Sequence, residues 1–157
     1  MPTYMIQSTL DRLRIRLQDI QKEKYDIAKE LQVAAGHGDF SENAELDAAR
    51  EKKEMLALEE LRIKGWLSEA QLIEHLKLPP DVVTVGKKLK VQDLDTGEEQ
   101  TFAILGEMDK WEGMPVLSIT APLAAGLLNK KKGRTAEVQL PRQVKRYKIL
   151  ELENLFG

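Results

Sequence analysis

Asp39 and Glu42 stand three residues apart, with Ser41 and Asn43 flanking Glu42 and Glu45 three positions further on. Carboxylates spaced by three or four at the start of a helix share one side of it, so several oxygen donors gather within little more than a turn. Two chemistries fit that pattern. The first is local: Asp or Ser caps a helix, a Glu three residues later closes a capping box, and acids in the first turn complement the positive end of the helix dipole. The second is metal chemistry. Two carboxylates and a few waters hold Mg2+ only weakly by themselves, and better once a host macromolecule adds ligands. In a two-metal site, ions about 4 Å apart activate water and stabilise the leaving oxygen of a phosphodiester. Spacing alone leaves both readings open, and capping is the commoner. Gly36 and Gly38 match the residues that end a helix, and His37 reads as a solvated loop histidine with proton transfer as its rarer use.

The elements that must position these acids are legible on either side of them. Leu10, Leu13, Leu17, Ile20, Ile27, Leu31 and Ala34 alternate spacings of three and four, with Lys24 in one slot of the repeat. That heptad predicts a coiled-coil helix over residues 9–35. A second stretch, from Glu42 to about Leu76, carries Ala49, Leu56, Ile63 and Ala70 at intervals of seven, thickened by Trp66, Leu67 and Ile73. The break between them, Gly36 to Ser41, is short enough to fold the second helix back on the first as an antiparallel hairpin. At about 1.5 Å per residue the tip would stand roughly 40 Å from the base. Acids on such an arm can be delivered into a narrow cavity of another macromolecule. Trp66 reads as packing at the base of the arm.

Leu78-Pro79-Pro80-Asp81 ends the helical pattern, because consecutive prolines cannot sit in a helix interior. The expected organisation is therefore residues 1–78 as the arm, with an acidic tip near 36–45, and residues 79–157 as a second domain. There the period drops toward two at Val82 to Val85, Leu89 to Val91 and Thr101 to Leu105, with Asp95-Thr96-Gly97-Glu98 as a hairpin turn. Further strands are predicted at Pro115 to Ile119, Thr135 to Leu140 and Val144 to Leu152, and a short proline-started helix at Pro122 to Asn129. The fold class is α+β: a helical hairpin followed by a small antiparallel β domain with one short helix.

Composition narrows the function. The 157 residues suit one ordinary domain or two small ones; 42% are hydrophobic and 32% charged, while 5% aromatic residues offer little for a deep ligand pocket. The absence of cysteine excludes a disulfide scaffold, a thiolate zinc site and a cysteine nucleophile, and two histidines leave few imidazole ligands. Any metal must be held mainly by oxygen. Met1-Pro2-Thr3-Tyr4 lacks the basic and apolar regions of a signal peptide, and no apolar run approaches a membrane span, so the expectation is a soluble, cytoplasmic protein with no membrane partner. The net charge of −2 hides an asymmetry: from Lys110 to Gly157 nine Lys or Arg face four Glu, led by Lys130-Lys131-Lys132. That run reads first as a solvated turn, and otherwise as a contact to an acidic or nucleic-acid surface.

At Gly38-Asp39-Phe40-Ser41-Glu42-Asn43-Ala44-Glu45, followed by Ala48-Ala49-Arg50-Glu51, the chain resembles the Gre family of bacterial transcript cleavage factors, and the GreA branch more than GreB. The likeness continues through Leu67-Ser68-Glu69-Ala70-Gln71 and Pro122-Leu123-Ala124 to Arg146-Tyr147-Lys148-Ile149-Leu150. The resemblance implies an N-terminal antiparallel coiled coil and a C-terminal domain similar to FK506-binding proteins. It implies that the C-terminal domain docks on bacterial RNA polymerase near its secondary channel while the arm enters that channel. Asp39 and Glu42 then match the acids that help hold a catalytic Mg2+ shared with the polymerase, none being tightly bound by the isolated protein. Phe40, Ser41, Asn43 and Glu45 would support the tip, Arg50 would contact RNA, and Thr120, Ala121, Pro122 and Leu123 would belong to the docking loop. The implied partners are the polymerase and the nascent RNA 3′ end, with DNA reached only through the elongation complex. The protein would activate the polymerase's own cleavage of backtracked RNA, not act as a free enzyme.

Phe40 has two readings, a staple against the first turn of its helix or a contact to the channel wall or RNA. The chain also departs from the family pattern. Ala35 stands where a basic residue is expected, Leu46 where tyrosine is usual, and Thr120-Ala121-Pro122-Leu123-Ala124-Ala125 keeps the proline but lacks the usual serine before it and arginine after it. Two rival functions remain at this stage: a noncatalytic secondary-channel regulator using the same arm, and a prolyl isomerase or chaperone suggested by the C-terminal fold. Fold alone carries no activity, and Phe102, Trp111, Tyr147 and Phe156 supply few aromatics for an apolar substrate pocket.

Overall fold

A computed structural model describes residues 2–35 and 40–156; of residues 34, 35 and 40–43 it describes the helical backbone alone. The chain forms two compact units, one of Leu10–Glu69 and the other of Met1–Thr9 with Ala70–Gly157. This partition is not a single cut near residue 78, because the first nine residues belong with the sheet.

In the first unit, α1 (Gln7–Ala35) and α2 (Phe40–Ser68) are helices of 29 residues each. Five residue steps separate Ala35 from Phe40, a reach of at most about 18 Å, so α2 must start near the end of α1. The two helices then meet along the heptad stripe. Ile20 and Ile27 are buried against Ala49, Leu56 and Ile63, flanked by Leu13, Leu17, Leu31, Trp66 and Leu67. Trp66 is thus a packing residue of the arm.

The second helix stops earlier than the periodicity suggests, at Ser68 instead of near Leu76. Ser68 Oγ donates to the Gly65 carbonyl at 2.8 Å, and the chain then enters β2 (Ala70–Leu72). This strand pairs in parallel with β1 (Thr3–Met5), and a 3₁₀ turn follows at Ile73–His75. Ala70 and Ile73 prolong the heptad on paper. In the fold Ile73 is buried with Ile6, Val85, Ala103 and Leu105 in a different core, so a non-local pairing overrides the local period.

The main sheet comprises β3 (Lys87–Asp93), β4 (Glu99–Leu105), β5 (Val116–Ser118), β6 (Thr135–Gln139) and β7 (Val144–Asn154), in the order β5-β4-β3-β7-β6. All pairings are antiparallel except β4 with β5, which is parallel. The β3–β4 turn closes as the sequence suggests: Asp93 Oδ1 accepts from the backbone N–H of Asp95 and of Thr96, and Gly97 takes φ +77. Lys145 adds a 3.0 Å bond to the other Asp93 oxygen, and together these bonds hold the Asp93 carboxyl below its usual range.

Helix α3 (Pro122–Leu127) covers one face, burying Ala124 and Leu127 with Leu89, Val91, Phe102, Ile104 and Val138. Ala103 and Leu105 face the other core, so the run Phe102 to Leu105 is buried on both sides. Val82 to Val85, predicted as a strand, makes only an isolated bridge between Val82 and Lys131. Val83 donates to the Lys130 carbonyl and accepts from Asn129 N–H, both at 2.9 Å, so its partner is a short loop that cannot extend a ladder. The short helix ends two residues before the predicted Asn129, which sits at φ 65 beyond it. Lys87 is fully buried, donating to the Pro79 carbonyl at 2.5 Å and to Asn154 Oδ1 and so fastening the proline segment to the sheet; burial pushes its ammonium down, with Asp81 opposing. Among the described residues no helix is long and apolar enough to cross a membrane.

Gly106, just past β4, has no room for a side chain: a Cβ there would lie 1.8 Å from the Tyr4 carbonyl oxygen. Gly106→Ala is expected to cost about 3 kcal/mol and lower Tm by roughly 10 °C. Gly65→Ala, in α2 with nothing within 4 Å of the added carbon, should gain about 0.5–1 kcal/mol. Thermal unfolding followed by circular dichroism checks both; a Gly106→Ala protein that melts like the parent would contradict the close pass of Tyr4.

Candidate functional site

Asp39, with Gly36, His37 and Gly38, lies outside the described residues. The backbone of Phe40, Ser41, Glu42 and Asn43 opens α2, while the side chains of these four also lie outside them. What the helix contributes is register. Glu42 falls seven residues before Ala49, so the repeat that buries Ala49, Leu56 and Ile63 carries a carboxylate at its tip-proximal position. Glu45 and Arg50 are described and exposed. Arg50 stands eight residues after Glu42, about 12 Å further along the helix axis, and beside the buried Ala49. Among the described residues no group of three or more His, Cys, Asp or Glu is arranged to hold a metal ion.

The arm that carries these residues is held in register by polar contacts that the heptad did not reveal. Arg16 grips Glu59 with two prongs, Nε to Oε1 at 2.7 Å and Nη2 to Oε2 at 2.8 Å, and also reaches Glu23 at 3.3 Å. Glu60 accepts from Lys64 on its own helix at 2.8 Å, and from Lys24 and Gln21 across the hairpin at 3.0 Å each. Lys24, the charged interruption of the apolar repeat, is thereby paired with an acid from α2. The bonds from Lys64 and Lys24 hold the Glu60 carboxyl down to about 2, and Arg16 lowers that of Glu59. The signal in the sequence was Lys24 itself, since a cation in a coiled-coil seam calls for an acid on the facing helix.

The predicted docking loop lies at the start of α3. Ala121 is extended (φ −70, ψ 146) and Pro122 opens the helix, as a residue before proline and a proline at the first helical position require. Ser118 organises the turn: its carbonyl accepts from Ala121 N–H at 2.9 Å, and its hydroxyl bonds Thr120 Oγ1 at 2.7 Å. Thr120 and Pro122 are exposed, whereas Ala121 and Leu123 pack against the core. Lys130, Lys131 and Lys132 are exposed, with Lys131 3.8 Å from Asp81. Phe102 and Tyr147 are core residues, and Trp111 meets Phe156 edge to face at 5.3 Å, so these aromatics are committed to packing.

Comparison with known proteins places the chain in a family context. Residues 3–72 match the family described as transcription elongation factor, N-terminal, and residues 78–154 match transcription elongation factor, GreA/GreB, C-term. The transcription elongation factor GreA of Anaeromyxobacter sp. (strain K) is 34% identical over 139 residues, covering 88% of this chain and 82% of the relative. That of Helicobacter acinonychis (strain Sheeba) is 33% identical over 130 residues, covering 83% and 79%. Among solved structures, Gfh1 of Thermus aquaticus aligns over 98% of this chain and 99% of its own, at 18% identity and a TM-score of 0.43.

The arm's ion pairs set an acid limit. A carboxyl whose folded value lies below its unfolded 4.5 stabilises the fold above that pH and loses its contribution as pH falls toward the folded value, about 2 for Glu60. Between pH 5 and 2 the parent's Tm should therefore decline in part through Glu60. Glu60→Gln should melt a few degrees lower than the parent at pH 7, and the gap should close near pH 2. A gap that stays constant across this range would show that Glu60 ionisation does not stabilise the arm.

Proposed function

Since the chain belongs to the GreA/GreB family of transcription elongation factors, we propose that it inserts the tip of its helical arm into the secondary channel of RNA polymerase and stimulates cleavage of backtracked nascent RNA. The observation that carries this reading is that the Phe40 to Glu45 part of the motif opens α2, one of two paired helices each 29 residues long, or about 43 Å. Carboxylates in the opening turns of so long a helix are badly placed to serve a site of their own protein. They suit a site in a partner.

In this reading the C-terminal unit grips the polymerase through Thr120, Pro122 and their neighbours near the channel entrance. Asp39 and Glu42 are the residues that would hold Mg2+, and the donor set fits, since paired carboxylate oxygens are hard ligands and this ion accepts a partly protein-supplied shell. When bound with the polymerase's own ion, Mg2+ supplies water activation and stabilisation of the leaving oxygen in phosphodiester hydrolysis. Glu45 adds negative charge beside the pair, and Arg50 would meet an RNA phosphate about 12 Å up the arm. The seam and the Arg16–Glu59 and Lys24–Glu60 pairs keep the first turn of α2 at a constant height on the hairpin. The protein thus completes another enzyme's active centre in the bacterial cytoplasm, and cleavage returns the arrested complex to elongation.

Asp39→Ala and Glu42→Ala should each leave the concentration for half-maximal polymerase binding within about twofold and lower stimulated cleavage of a backtracked complex by tenfold or more, a loss of about 1.4 kcal/mol in transition-state stabilisation. Loss of a helix cap can cost about 1 kcal/mol, so helicity is verified by circular dichroism. Folded variants that cleave like the parent would contradict the metal-holding role. Inhibition of synthesis with no cleavage by the parent would point instead to a noncatalytic channel regulator.

A further inference from the structure

Helix α2 carries a second repeat beside the one it shares with α1. Ala48, Glu51, Met55, Leu58, Arg62 and Gly65 alternate spacings of three and four, the period that keeps a stripe on one side of a coiled-coil helix. The stripe that packs on α1 runs instead through Ala49, Leu56 and Ile63. At 3.6 residues per turn the two stripes lie roughly 130° apart around α2. All six residues of the second stripe are exposed, Met55 by 65% and Leu58 by 63%. Met55, Leu58 and Arg62 also line a groove of about 600 Å³ whose other walls include Leu13, Arg16 and Trp66. Every one of these residues belongs to the unit Leu10–Glu69.

The order along the stripe is small, acidic, apolar, apolar, basic, small. Reversed, that order is its own complement. Place a second copy of α2 antiparallel to the first, about a two-fold axis passing between Leu56 and Ala57. Met55 then meets Leu58 of the second copy, Glu51 meets its Arg62 and Ala48 meets its Gly65, and the symmetry makes each contact twice. The apolar layers fall at the centre, the ion pairs flank them, and the small residues let the helix axes approach at both ends. Gly65 has open space around it, with nothing within 4 Å of the position a Cβ would take. Among the described residues no ion pair uses Glu51 or Arg62. Glu59, the acid that feels the charge of Arg62, is itself gripped by Arg16. A parallel pairing in the same register would set Glu51 on Glu51 and Arg62 on Arg62, so charge selects the antiparallel one.

We propose that the exposed stripe of α2 is a self-association surface, and that its occupant is the same stripe of a second copy of this chain. The seam from Ala48 to Gly65 is about 26 Å long and one side chain wide. So small a contact makes a weak, reversible dimer, with a Kd on the order of 10–100 µM.

The test is sedimentation equilibrium of the full-length chain from about 1 µM to 1 mM at low salt, with helicity of each variant verified by circular dichroism. The parent should pass from monomer to dimer across this range. Leu58→Glu sets two carboxylates into the apolar centre and should raise Kd at least about tenfold. Glu51→Arg and Arg62→Glu each place like charges opposite one another and should raise it about fivefold, whereas the double variant carrying both substitutions should return it to within about twofold of the parent. A parent that stays monomeric up to about 1 mM overturns the pairing and leaves the stripe to a partner of another kind. A dimer that Leu58→Glu does not weaken overturns this surface as its seat. Single charge variants that match the parent, or a double variant that fails to restore the dimer, overturn the antiparallel register.

Discussion

A helix that starts on Ile-Gln-Ser must find partners for its first N–H groups elsewhere, and the carboxylate of Asp109 meets that requirement. With two oxygens it satisfies two backbone N–H groups and a hydroxyl, all in a site closed to water, where each would otherwise cost about 1–3 kcal/mol. The rest of the sheet unit is arranged around this constraint. Gly106 must be glycine because Tyr4 passes over it, Ile6 follows directly into the core of Ile73, Val85, Ala103 and Leu105, and β1 supplies the edge on which β2 pairs. Nine N-terminal residues are thereby built into a unit whose remaining sequence begins at Ala70.

The arm obeys a different logic. Where two helices meet only a narrow stripe is buried between them, and Ile20, Ile27, Leu56 and Ile63 occupy it with Ala49. Full burial of such aliphatic side chains contributes about 1.5–3 kcal/mol apiece, whereas half-exposed ion pairs contribute about 0.2–1. The seam therefore supplies most of the stability, and the two-pronged Arg16–Glu59 pair and the Lys24–Glu60 pair supply register. Register is what matters for a tip motif, because a slip of one helix on the other would move Glu42 relative to the end of α1.

The readable parts of this protein are those written in local periods. Spacings of three and four from Leu10 to Ala34 disclosed the first helix. Alternation around Leu89, Thr101 to Leu105 and Val144 to Leu152 disclosed three strands, and Asp95-Thr96-Gly97-Glu98 the turn between the first two. What escaped depends on contacts between distant residues. The heptad runs on through Ala70, yet pairing with Thr3 to Met5 ends the helix at Ser68; Val82 to Val85 alternates like a strand, yet only Asn129 to Lys131 is there to pair with it. The tip followed the same division. The sequence motif put Glu42 in the opening turn of a helix, where its backbone lies, while the Glu59–Glu60 lock and the Asp109 cap, each joining positions far apart in the chain, left only the oddity of Lys24 in an apolar seam and a helix preceded by isoleucine.

The central claim is that Asp39 and Glu42 reach the RNA end inside the polymerase. It is tested most directly by photocrosslinking from a reactive base at the 3′ terminus of backtracked RNA, in complexes saturated with this protein, with adducts mapped by mass spectrometry. The expected result is adducts confined to residues 36–50. Adducts confined to the C-terminal unit, or none at saturation, would contradict delivery of the tip.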